Sequence, residues 1–174
     1  MVSLKSEIRQ QRPFSSKEEE VLLNILRTAD CLQREFQRRS REWGITGTQY
    51  NVLRILRGAL PDGLTCTDIG DRMIAAEPDI TRLLRRMSTS ALIRQKRDSA
   101  DRRIVRTFIA PKGLELLAKM DPFVAKTPVD ILGHLTPVQL SHLIDLLELA
   151  RTKCGEKTSG VSCNGQPEVS CDGK

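Results

Sequence analysis

The stretch Arg94–Ile109, RQKRDSADRRIVRTFI, decides how this chain is read. Two short runs, ALIRQK and RIVRTFIA, place apolar or β-branched residues between polar ones. They flank RDSADR, a polar turn that carries Asp98 and Asp101 among arginines. This pattern predicts a two-stranded hairpin with a charged tip. The charge is local: Arg82–Arg106 holds nine Lys/Arg and two Asp, a net +7, whereas the whole chain of 174 residues carries +6. A basic segment on a nearly neutral body points to a polyanion partner. The competing reading is a solvated charged face.

Working outward, PDITRLLRRMSTS spaces Ile80, Leu83, Leu84 and Met87 helically and leaves its arginines elsewhere. Pro78 suits the first helical position, where its missing N–H costs nothing. Before it, LTCTDIGDRM predicts a helix capped by Thr65, with Asp68 as box partner. Ala75–Glu77 make the short connection. Helix, tight turn and basic second helix outline a helix-turn-helix, and the hairpin behind it is a wing. Upstream, a helix is predicted from about Thr46 to Arg57, followed by the turn Pro61-Asp62-Gly63.

Longer helical patterns flank this unit. Ser16 with Glu19 predicts the cap of a helix striped by Leu22, Ile25, Ala29, Leu32 and Phe36 and ended by Gly44. After Pro111 and Gly113, Leu114, Leu116, Leu117 and Met120 resume the helical spacing, with Pro122 and Pro128 expected to kink or divide the element. A last helix opens at Thr136-Pro137-Val138-Gln139 and is striped by Leu140, Leu143, Ile144, Leu147 and Ala150. These helices suggest a joint dimerisation layer, with an intramolecular bundle as the alternative. The fold class expected is mainly α with a small β-wing: a winged helix-turn-helix flanked by long dimerisation helices. The divisions expected are a flexible basic arm (1–15), an N-terminal dimerisation helix (16–45), the winged unit (46–110), C-terminal dimerisation helices (111–153) and a disordered Cys/Gly/Ser-rich tail (154–174).

Composition narrows the function. No apolar run approaches the ~20 residues of a membrane span, and MVSLKSEIRQQRP lacks a signal-peptide core. A cytoplasmic protein with no membrane partner is expected. Five cysteines, an odd count without a secretory signal, argue against a disulfide framework; no CxxC pair occurs, and the gaps between the last three match no familiar zinc spacing. Only His134 and His142 are present, neither in a recognisable motif, and GLTCTDIG lacks the lysine of a phosphate loop. Neither an enzyme nor a cofactor or metal is expected.

In this order and spacing, ITGTQYNVLRIL, LTCTDIGDRM, PDITRLLRRM and ALIRQKRDSADRRIVRTFIAPKGLELL resemble the MarR family of bacterial transcriptional regulators over about residues 18–152. The resemblance implies a homodimer that binds pseudo-palindromic double-stranded DNA, expected as a repressor. It further implies release by a small phenolic or other aromatic effector, or by cysteine oxidation. A winged helix that coats DNA with weak sequence preference, or binds proteins, is the alternative.

Phosphates set affinity and base edges set specificity. Thr65 and Thr67, at a helix start, are assigned to phosphates. Asp79, Thr81, Arg82 and Arg85 are assigned to the major groove, where Arg82 could bridge a guanine. Glu77 and Asp79 would repel phosphates, although a carboxylate accepts a hydrogen bond from cytosine N4. Arg86 either joins this face or turns to another helix and pairs with an acid. By resemblance, Arg103 enters the minor groove and Asp101 holds it, while Arg97 and Arg102 meet phosphates. Trp43 and Tyr50 are candidates for an effector pocket or are ordinary core residues. Cys66, at a helix N-terminus, is either a redox-sensitive thiolate or a small packed hydrophobe. Cys31 is read as packing.

Overall fold

The computed structural model describes residues 2–154. The chain divides into two compact units, Met1–Gly47 and Thr48–Lys174. The tail expected at 154–174, with Cys163 and Cys171, lies outside the described residues apart from Cys154.

In the first unit, α1 (Leu4–Glu7) forms one turn capped by Ser3. The arm expected to be loose therefore holds local structure, tied by Glu7 to Arg27 at 3.4 Å. α2 (Lys17–Arg39) begins at the foreseen cap, where the Ser16 side chain accepts from the Glu19 N–H. At its far end Glu35 accepts hydrogen bonds from Arg38 and Arg39 at 2.7 and 2.6 Å. These bonds hold the Glu35 carboxyl down to about 2. A single 3₁₀ turn, Arg41–Trp43, follows, and Gly44 closes it with φ of 66°. No residue of α2 is buried: Val21, Leu22 and Leu26 are each more than half exposed, and Cys31 is exposed. The packing role expected for Cys31 is not observed.

The second unit opens with α3 (Gly47–Gly58), continues through α4 (Cys66–Arg72) and α5 (Ile80–Thr89), and forms the hairpin β1 (Ile93–Arg97) and β2 (Val105–Ile109). The strands pair antiparallel, with Ile93 opposite Ile109 and Arg97 opposite Val105. Leu64 adds a short third edge, exchanging two backbone hydrogen bonds with Thr107. Leu53 and Leu56 of α3, Ile69 of α4, Ile80, Leu84 and Met87 of α5, and Leu117 and Met120 downstream are almost fully buried. Leu, Ile and Met thus fill a core that has almost no aromatic content.

α6 (Pro111–Leu132) is one helix, although Pro122 and Pro128 both lie inside it. The expected division does not occur. Each proline removes one N–H, yet the flanking turns keep theirs, and the Thr127 hydroxyl adds a bond to the Phe123 carbonyl at 2.9 Å. Arg57 of α3 joins Asp121 of α6 at 2.8 Å. α7 (Pro137–Arg151) starts at the foreseen capping box of Thr136 and Gln139 but buries none of its residues.

Gly113 explains the PKG at the start of α6. A Cβ there would lie 2.3 Å from the Leu92 carbonyl oxygen, which accepts from the Ala110 N–H. The helix seats against the end of α5 and the root of the wing only because this Cβ is missing. Gly113→Ala is expected to cost about 1–3 kcal/mol in urea unfolding. Gly58→Ala, at a site with nothing within 4 Å, should change little. Equal effects of the two substitutions would contradict the close-approach explanation.

Candidate nucleic-acid interface

The turn into the second helix is fixed by reciprocal capping. The Thr65 hydroxyl accepts from the Asp68 N–H at 3.1 Å, and the Asp68 carboxylate accepts from the Thr65 N–H at 3.1 Å. The Thr65 hydroxyl and backbone N–H hold the Asp68 carboxyl below its ordinary range. Thr65 is therefore structurally occupied, while Thr67 is exposed at the same helix end. α4 packs on α5, where Cys66 Sγ lies 3.9 Å from the Thr81 hydroxyl and both residues are half-buried.

α5 begins two residues later than Pro78 would place it, at Ile80. Asp79 is its N-cap, and one carboxylate oxygen accepts from the Arg82 N–H at 2.9 Å. Pro78 thus precedes the cap instead of opening the helix, and Asp79 is partly committed to holding the backbone. Burial of Ile80, Leu83, Leu84 and Met87 turns the opposite side of α5 outward. Positions 82, 85, 86 and 89 recur every three or four residues, so Arg82, Arg85, Arg86 and Thr89 share that exposed side. Among the described residues Arg86 forms no ion pair, so the acid-paired alternative is not observed. Lys112 donates to the Ser90 carbonyl at 3.0 Å and so closes the C-terminal end of the helix.

The wing tip is organised by its two aspartates. One oxygen of Asp98 accepts from the Ala100 N–H at 2.9 Å, and the other accepts from Arg106 Nε at 2.6 Å. Asp101 accepts from the Arg103 N–H at 2.9 Å and receives Nε and Nη2 of the same side chain at 3.2 and 3.3 Å. Arg103 nevertheless stays 91% exposed. Arg106 first, then nearby backbone N–H groups, hold the Asp98 carboxyl below its ordinary range; Arg103 does the same for Asp101. Arg97 and Arg102 are exposed.

The sequence-predicted residues of α4, α5 and the wing thus belong to one unit. Trp43 falls in the first unit and Tyr50 in the second, where Tyr50 is 7% exposed and burial raises its hydroxyl pKa. Among the described residues no cluster of His, Cys, Asp and Glu is placed to hold a metal, and no helix is long and apolar enough to cross a membrane. Sequence reasoning missed Arg106 as the partner of Asp98. The register could have found it: a cross-strand arginine beside the turn is the nearest cation to that acid.

A sequence profile of the MarR family matches residues 43–104, which hold α3 through the wing tip. A MarR transcription factor from Planctomyces limnophilus is 34% identical, with a TM-score of 0.59. The alignment covers 79% of this chain and 99% of that one. The chain belongs to the MarR family. It is a mainly helical, winged helix-turn-helix member of these transcriptional regulators. The HTH-type transcriptional regulator TtmR of Methylorubrum extorquens is 38% identical over 77 residues, but the match spans 44% of this chain and only 38% of TtmR. A structure of S. aureus MepR with DNA shares the fold at a TM-score of 0.70 and 18% identity, covering 80% of this chain and all of that one.

The wing geometry sets the direction in which both aspartates shift. An aspartate whose folded pKa is depressed supports its contacts above the ordinary value of 3.8 and loses them as pH falls through the lower folded value. Carboxyl NMR should place both wing aspartates below 3.8. Arg106→Ala should return Asp98 toward that value while shifting Asp101 little, and an unchanged Asp98 midpoint would contradict the pairing.

Proposed function

We propose that this MarR-family chain is a homodimeric repressor that reads a pseudo-palindromic operator in double-stranded DNA. Arg82, Arg85 and Arg86, together with the free edge of Asp79, face the major groove, and Arg103 enters the adjacent minor groove. The observation that carries this reading is the wing tip: a guanidinium left 91% exposed while two of its nitrogens and its own backbone N–H are held by Asp101. An arginine fixed outward in this way loses little entropy on entering a narrow, electronegative groove. Thr67, Arg97 and Arg102 supply phosphate contacts, and Thr65 supports them by capping α4.

The dimer is favoured by the unburied apolar side chains of α2 and α7. Leu143 and Ile144 are 40 and 56% exposed, and Leu146 and Leu149 are more than 60% exposed. Such surface is costly in water unless another surface covers it. Release by a small aromatic effector belongs to the same reading, with Trp43 and Tyr50 as the residues to substitute first. Cys66 is half-buried beside Thr81, which favours the packed-hydrophobe role over a redox one.

Selection of bound duplexes from a random pool with the purified protein is expected to recover an inverted repeat with half-site centres about 10 base pairs apart, or a multiple of that. On the recovered operator Arg103→Ala should weaken binding about tenfold, roughly 1.4 kcal/mol. Recovery of no repeat, with equal affinity for random and selected DNA, would favour the weakly specific coating role. An unchanged affinity for Arg103→Ala would remove the wing from the interface.

A further inference from the structure

Besides Arg103 and Arg106, the wing carries another ordered arginine, which the operator-reading elements do not use. Side chains alternate across a strand, so Arg94 and Lys96 of β1 share one face with their register partners Phe108 and Arg106 of β2. Ile93 and Ile109, on the opposite face, are buried. The Arg94 guanidinium lies over the Phe108 ring, 5.3 Å from its centre. The ring is itself wedged: Gly63 has φ of 67°, and a Cβ there would lie 2.6 Å from the Phe108 ring. A glycine turn thus makes room for a ring, and the ring carries a cation.

Acids on this face offset only part of that charge. Asp98 is occupied by Arg106 at 2.6 Å, and Asp62, which lines the same groove, also acts on Arg106. Among the described residues neither Arg94 nor Lys96 pairs with a carboxylate, and both are exposed. Residues two apart on one strand lie about 7 Å apart, a spacing comparable to that of successive phosphates along one nucleic-acid strand.

We propose that Arg94, pre-positioned by Phe108 and Gly63, and Lys96 form a sequence-independent contact with duplex phosphates flanking the operator half-site. This rests on the operator reading above and extends it to DNA outside the repeat. A face of this kind lengthens the footprint and raises affinity without adding base preference.

The test uses two duplexes that share the selected repeat, one trimmed to its ends and one extended by about ten base pairs, a helical turn, on each side. For the full chain, Arg94→Ala with Lys96→Ala is expected to flatten the salt dependence on the extended duplex by about 0.9 per lost phosphate contact. The trimmed duplex should bind wild type and variant alike. Phe108→Leu, which keeps apolar bulk but removes the ring, should weaken binding about two- to fivefold on the extended duplex only. Matching thermal melts confirm that the variants fold. An unchanged slope on the extended duplex, or equal losses on both, overturns the flanking contact while leaving the operator reading intact. Failure of wild type to prefer either duplex over random DNA overturns both.

Discussion

Like charges crowded into a short segment repel, and the basic surface between Arg82 and Arg106 depends on how the fold manages that repulsion. Two devices do it. On α5, burial of Ile80, Leu83, Leu84 and Met87 fixes the helix and forces three arginines onto its solvent side. At the wing tip Asp98 takes Arg106 and two backbone N–H groups, and Asp101 takes Arg103 and one, so the turn is held by acids set into a basic region. Surface ion pairs contribute little alone. Here their value lies in fixing where exposed cations sit before any partner arrives.

The supporting structure serves that geometry. Leu64 pairs with Thr107 and ties the base of the wing to the start of the helix-turn-helix. Gly113 lets α6 seat against Leu92, where α5 hands over to β1. Lys112 closes the end of α5, and Gly63 admits Phe108 under Arg94. Both glycines stand where one element passes close to another: Gly63 beside Phe108 of the wing, and Gly113 beside Leu92.

Much of this was legible in the sequence because its signals are local. Capping at Ser16, Thr65 and Thr136, the turns of the hairpin and the buried stripe of α5 are written within a few residues. The pairing of Asp101 with Arg103 is local too. What escaped depends on tertiary context. Pro122 and Pro128 read as breakers, yet the surrounding turns of α6 carry the helix through them. Asp79 read as a groove contact and is also a cap, because helix onset depends on which residue's side chain reaches the Arg82 N–H. The partners Asp98–Arg106 and Arg94–Phe108 required the strand register, which composition does not give.

The central claim is that the wing arginine is ordered by its neighbour in the free protein. Side-chain relaxation of arginine Nε–H groups by NMR, without DNA, tests it directly, with Arg102 as the exposed neighbour for comparison. The account predicts that Arg103 Nε is restrained nearly as strongly as the backbone, that Arg102 is far more mobile, and that Asp101→Asn erases the difference. Equal mobility of Arg102 and Arg103 in the unsubstituted chain would contradict it.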